Sequence, residues 1–161
     1  MPLPPEVLAK AEFSPVEDIA LAILRAALPG VEVNSLIRHD QAFPFVLVRG
    51  GDALGEWRGD HRFLDSAQLL VHTFASDPDG DEDAALLAEA VRVALRDAWR
   101  AQTIVPGRGH ITGFDMVSKP RRVTDWATAT GPVQYADLPA GTHRYEVRFG
   151  LTIRKPKTLA L

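Results

Sequence analysis

Residues 143–154 run His143-Arg144-Tyr145-Glu146-Val147-Arg148-Phe149-Gly150-Leu151-Thr152-Ile153-Arg154 and alternate almost without error. Tyr145, Val147, Phe149, Leu151 and Ile153 fall on one face, and Arg144, Glu146, Arg148, Thr152 and Arg154 on the other. A period of two sustained over this length predicts a long strand with one dry and one wet side. A chain that ends on such a strand and offers no visible catalytic constellation reads as a sheet-based building block.

Upstream, the order of elements is helix, strands, helix, strands. Residues 1–13 carry Pro2, Pro4 and Pro5 and read as an extended N-terminal arm. Ser14-Pro15-Val16-Glu17 has the form of a capping box with proline at the first helical position, so a helix is expected from there. Val16, Ile19, Ala20, Ile23, Leu24 and Ala27 recur at helical spacing, Leu21 and Leu28 widen the apolar arc, and Pro29-Gly30 ends it. Residues 31–37 and 45–49 predict two short strands. Residues 63–74, apolar on both faces, predict a long strand in the centre of the sheet. An acidic turn, Asp77 to Asp83, leads into a second helix expected from about Asp83 to Arg100, its start favoured by carboxylates near the positive end of the helix dipole. A strand over residues 111–117 contains Gly113, which shifts the alternation and predicts a bulge. A long excursion at about 120–142 then precedes the final strand. The expected fold class is α+β: a mixed, mostly antiparallel sheet with two helices packed on one face, in a single domain of residues 14–155 followed by a tail of residues 156–161.

At 161 residues and 17.6 kDa, a folded chain exposes roughly 8,000 Å² against about 25,000 Å² extended, enough burial for one sizeable core. With no cysteine, a disulfide framework, a thiolate zinc site and a cysteine nucleophile are excluded together. A net charge of -3 does not advertise a nucleic-acid binder. The start, Met1-Pro2-Leu3-Pro4-Pro5-Glu6, lacks the charged and apolar runs of a secretory signal, so export is not expected. The most apolar stretch, residues 19–28, is interrupted by Arg25 and falls short of the roughly 20 residues a membrane span needs.

The polar residues form no pattern that chemistry requires. His39, His61, His72, His110 and His143 include no pair at helical i, i+4 spacing, so no metal site is expected. Gly50-Gly51 and Gly107-Arg108-Gly109 lack the residues of a phosphate-binding loop or a dinucleotide fingerprint and read as turns. Asp77, Asp79, Asp81 and Asp83 alternate like the opening of a calcium loop, but Gly80 falls at the fourth place and no glutamate closes the twelfth, which favours a solvated turn. No serine stands in a nucleophile elbow. The expectation is a non-enzyme with no cofactor.

Three surface features are candidates for contact. On the second helix the core stripe is Ala84, Leu87, Val91, Ala94, Leu95 and Ala98, while Leu86, Ala90 and Val93 fall on the opposite side. That second stripe is either scattered surface aliphatics or a subunit interface. Trp57, Trp126 and Tyr135 lie in loops, where exposed aromatics serve as protein contacts. Basic residues cluster at Lys119-Pro120-Arg121-Arg122 and Arg154-Lys155-Pro156-Lys157, with Arg92, Arg96 and Arg100 down one side of the second helix. They are either solvated faces with pairs such as Glu89 to Arg92 or Arg96, or contacts to phosphates or partners, with Arg121 and Arg122 the foremost partner candidates.

Taken together, residues 16–31, Phe43-Pro44-Phe45-Val46-Leu47-Val48-Arg49, the strand at 67–75, the helix at 86–95 and Arg144-Tyr145-Glu146-Val147-Arg148-Phe149 give an order and composition that resembles the tail terminators of long-tailed bacteriophages. The likeness spans about residues 15–155, and the Pro-rich arm and the insertion around Trp126 depart from it. The resemblance implies a virion protein made in the bacterial host cytoplasm, placed at the head-proximal end of the tail. It implies a homo-hexameric ring that stops tail-tube polymerisation and joins the tail to the head. Its partners would be itself, the tail tube protein and a head-closure or neck protein, with genome DNA passing through the lumen without specific binding and no membrane involved. In that ring the basic clusters are expected outside a near-neutral or acidic bore, to which the Asp77 to Asp83 turn would contribute. The arm and the long excursion are expected to meet partners. A head-closure or other neck protein, a tail-tube subunit and a small-molecule-binding domain are the alternatives.

Overall fold

Two strands of 13 residues, β3 (Leu64–Ser76) and β5 (Thr142–Arg154), pair antiparallel in unbroken register from Leu64 against Arg154 to Ser76 against Thr142. They form the middle of a five-stranded sheet of order β1-β2-β3-β5-β4, completed by β1 (Glu32–Asn34), β2 (Phe45–Gly50) and β4 (His110–Val123). Only the short β1 runs parallel to its neighbour. The computed structural model describes residues 2–51, 62–123, 141–157 and 159, in a single α+β domain. The helices are α1 (Pro5–Leu8), α2 (Val16–Ala27) and α3 (Gly80–Ala101).

Alternation decides which face each side chain takes. Val46, Val48, Leu69, Val71, Val147, Phe149, Leu151 and Ile153 point to one face, where Ile19, Ile23 and Leu24 of α2 and Leu87, Val91 and Leu95 of α3 close over them in one continuous core. Thr73 lies on that face too, and its hydroxyl donates to the Ala84 carbonyl at 2.7 Å, tying the start of α3 to the central strand. At the far side Trp99 donates its indole N–H to the Thr112 carbonyl at 3.0 Å and stacks on Phe114, which stacks in turn on Phe149. The opposite face carries a smaller cluster of Phe45, Leu47 and Phe74, with Ile37 and Phe43 packed on it.

Helix ends follow local chemistry more loosely than the sequence pattern predicts. α2 begins at Val16, one residue later than expected: Pro15 is its N-cap rather than its first helical residue, and no side chain caps it. Glu17, the expected reciprocal partner of a capping box, instead accepts from the Gly50 N–H at 2.7 Å and fastens the first turn of α2 to the end of β2. α3 begins at Gly80, three residues before the expected Asp83, and this residue packs so closely on the sheet that a Cβ would come within 2.6 Å of the His143 ring and 3.0 Å of the Ala75 carbonyl. The arm is not wholly extended either: its backbone turns helically through α1, although no residue of that helix is buried.

The strands differ from expectation at two places. Gly113 does sit at a register shift, yet β4 continues through Pro120 to Val123, so the excursion begins after Val123 rather than at about 120. Further shifts flank Ser118 and Arg121, and a proline is tolerated there because β4 is an edge strand whose ladder is already broken by bulges. The side of β5 expected to be wet is in part closed: Arg144 is only 3% exposed and Glu146 is buried as well. The cores of both long helices follow the predicted stripes, except that Val16 of α2 is half-buried and Ala27 exposed, while in α3 Ala94 is half-buried and Ala88, outside the predicted stripe, is buried.

The two stripes of α3 should respond oppositely to truncation. Leu95→Ala, at a fully buried position, is expected to cost about 2–5 kcal/mol by urea unfolding. Leu86→Ala, on the outer stripe, should change the stability of the isolated subunit by less than about 0.5 kcal/mol.

Candidate functional site

Leu86, Ala90 and Val93, spaced along the outer stripe of α3, line a single open groove of about 930 Å³ between α2 and α3. α2 supplies Ala22 and Ala26, small residues four apart that keep the floor low, and Ile104 closes one end. The placement of Ile104 follows from how α3 stops. Gln102 takes a left-handed conformation (φ 47°), its N–H donates to the Trp99 carbonyl, and the Thr103 N–H donates to Ala98, which turns the chain outward and leaves Ile104 at the surface. The following turn is pinned where Gly109 (φ 109°) lies against the Arg154 carbonyl at the end of β5, a position with no room for a Cβ.

Leu86 is 59% exposed and Ile104 70% exposed. Covering such side chains fully yields about 1.5–3 kcal/mol each, so the groove is a surface whose burial would drive association. Its rim is charged in both signs: Arg92 Nε donates to Glu89 at 2.9 Å and Arg96 pairs with Asp97 at 2.9 Å. The expected stripe of arginines therefore exists, with Arg92 and Arg96 paired along the helix surface.

A second feature, on the sheet face away from the long helices, had no signal at the level of single segments. Register sets Leu47, His72, Glu146 and Arg121 side by side across four strands. Arg121 donates to Glu146 Oε1 at 2.9 Å, Arg148 approaches the same oxygen at 3.8 Å, and His72 Nδ1 lies 3.9 Å from Oε2. Burial and the positive charge of Arg144, reinforced by Arg148 and Arg49 and opposed by Glu146, push the His72 imidazole down to about 4. Burial alone would raise the Glu146 carboxyl, but the hydrogen bond from Arg121 and the neighbouring positive charges hold it below its ordinary value. At neutral pH His72 is uncharged, so the arginines do that holding. The result is an ionised carboxylate that ties the edge strand β4 to the centre of the sheet.

The remaining candidates fall in different places. Arg121 and Arg122 are not brought together as one basic patch: Arg121 binds Glu146, while Arg122 Nε pairs with Asp81 in the first turn of α3 at 2.9 Å. Asp77 of the acidic turn meets His143 Nε2 at hydrogen-bond distance, 2.9 Å, so two carboxylates of the turn, Asp77 and Asp81, are engaged by strand residues. Lys155 pairs with Glu12 of the arm at 3.5 Å, and Lys157 is exposed. Trp57, Trp126 and Tyr135, with most of the predicted excursion, lie outside the described residues. Among the described residues no three acidic or histidine side chains converge to hold a metal, and no helix is long and apolar enough to cross a membrane. Compared with known proteins, the chain matches no family model and no curated sequence.

The His72 environment predicts an acid-sensitive fold. A histidine that stays neutral when folded but binds a proton from pH 6.5 downward when unfolded favours the unfolded state as pH falls. Stability should decline between pH 6.5 and about 4 by about 3 kcal/mol from this group, with Glu146 adding to the loss at still lower pH. Urea unfolding across that range should show the decline, and His72→Gln should flatten it.

Proposed function

We propose that this chain is a structural subunit of a phage tail, a tail terminator that closes into a hexameric ring, ends polymerisation of the tail tube and presents a face to the head or neck. The observation that carries the reading is the apolar groove between α2 and α3. A monomer with a single core does not need a helix that is apolar on two sides, yet Leu86, exposed, and Ala90 and Val93, half-buried, line a groove outside the main core. The α+β layout, with α2 and α3 on one face of a mostly antiparallel sheet, agrees with what the sequence resemblance implies.

The charge pattern also supports a bore that lets DNA slide. Phosphate retention rests on many available cations, since each neutralised phosphate adds counterion release. Arg121, Arg122 and Lys155 are each engaged by a carboxylate of their own chain. These residues and Lys157 are assigned to the outside of the ring or to its joining surfaces.

Six chains of 17.6 kDa give a ring of roughly 106 kDa. Native mass measurement and negative-stain images, with tail tubes present as well as absent, should find that species. Leu86→Glu, at a position 59% exposed, should reduce the ring population at least tenfold while leaving the unfolding transition of the subunit within about 1 kcal/mol, as expected for a surface position. A chain that stays monomeric at high concentration and on tubes overturns the reading.

A further inference from the structure

We infer that the groove between α2 and α3 receives the N-terminal arm of a second copy of this chain, docked as a short amphipathic helix. The inference rests on the self-association part of the proposed function and names what that association is made of.

The arm starts with a helical turn, α1, none of whose residues is buried. Val7 and Leu8 both donate to the Pro4 carbonyl, and Lys10 and Ala11 donate to Val7 and Leu8, so helical turns run on to Ala11. A helix this short is not stable in water by itself; such segments hold their shape when an apolar face is docked. Here that face is open: Leu3 is 59% and Val7 47% exposed, and Ala11 is exposed too. Leu3 precedes α1 across Pro4, whose ψ of 145° is extended, and Val7 lies within the helix, so the arm presents two open apolar side chains at one helical turn. The four residues of α1 cover about 6 Å, which fits within the roughly 10 Å of α3 between Leu86 and Val93.

The groove matches in shape and charge. Ala22, Ala26 and Ala90 keep its floor shallow enough for another helix, and Leu86, Val93 and Ile104 form its walls. Both surfaces carry paired signs: Glu6 and Lys10 stand one turn apart on the arm, and Glu89 with Arg92 and Arg96 with Asp97 stand on the rim. The arm is fastened at its base, where Glu12 meets Lys155 at 3.5 Å and Ser14 is buried. The stretch before it, residues 2–11, is left to reach outward, spanning up to roughly 33 Å if extended.

Symmetry selects a second copy's arm over a second copy's groove. Two grooves facing each other make an isologous contact, which stops at a dimer. An arm in a neighbour's groove joins unlike surfaces, so each subunit donates one contact and accepts one, as a closed ring of more than two requires.

The chain has no cysteine, so engineered thiols report the contact directly. Full-length Val7→Cys and Val93→Cys are prepared separately, mixed, oxidised and resolved under denaturing conditions, with native mass recorded in parallel on the protein alone and on tail tubes. The expected result is a covalent mixed dimer that approaches half of the assembled chains, the ceiling for random 1:1 mixing of single-cysteine chains, and is at least fivefold reduced when Leu3→Asp is added to the Val7→Cys chain. That substitution lies at an exposed position, and an unchanged unfolding transition separates lost docking from lost folding. A mixed dimer in a chain that never exceeds dimer mass supports the arm contact and overturns the ring. Assembly without a mixed cross-link overturns the arm contact alone. Efficient cross-linking of Val93→Cys to itself shows groove meeting groove and overturns the inference. A double variant that cross-links only within one chain shows the arm in its own groove and overturns it as well. A chain that is monomeric throughout and forms no mixed cross-link overturns both the contact and the ring.

Discussion

The antiparallel pairing of β3 with β5 is the constraint on which the rest of the molecule depends. Thirteen residues of each strand are matched without a bulge, whereas β4 on the outer side of β5 slips register three times. A one-residue slip in the central pair would send every side chain of one strand to the other face, moving Val147, Phe149 and Leu151 out of the core and Glu146 into it. The registers of β2 and β4 build outward from this pair, and both long helices close on the apolar surface it creates.

The same register brings charge into the sheet. Once Glu146 is opposite His72 and Arg121 is opposite Glu146, a carboxylate, an imidazole and several guanidiniums share one partly buried surface. Burying an ion without compensation is costly, and the bond from Arg121 together with the nearby Arg148 supplies that compensation. Because His72 is buried and sits beside Arg144 and other arginines, it is the member that gives up its charge. The edge strand is thereby fixed to the sheet by a charged hydrogen bond at a point where bulges have loosened its ladder. The Trp99 indole does the same from the helix side by bonding to Thr112.

The opposite surface of the molecule has the reverse character. α3 is long enough to pack one stripe on three strands and still present a second, and the stop at Gln102 adds Ile104 to the exposed apolar area. α2 runs alongside with alanines where it borders the groove, so the two helices meet without filling the space between their outer faces. Apolar association surface and charged sheet face are thus segregated on opposite sides of one core.

The sequence by itself determined the elements whose evidence is local. The period of two in residues 143–154, the helical spacing after Ser14 and in residues 83–100, the centrality of the strand near 63–74 and the bulge at Gly113 could all be read because each depends on neighbours a few residues away. The outer stripe of α3 was legible for the same reason, and Leu86, Ala90 and Val93 do lie together. Its partner half was not: Ala22 and Ala26 are unremarkable in α2 until packing sets that helix beside α3. Tertiary structure alone decided that Glu17 would serve Gly50 rather than cap its own helix, that β4 would run on through Pro120, and that Arg121 and Arg122 would part to Glu146 and Asp81. Each of those outcomes joins residues distant in the chain, where strand register and helix placement choose the partner and no local period records the choice.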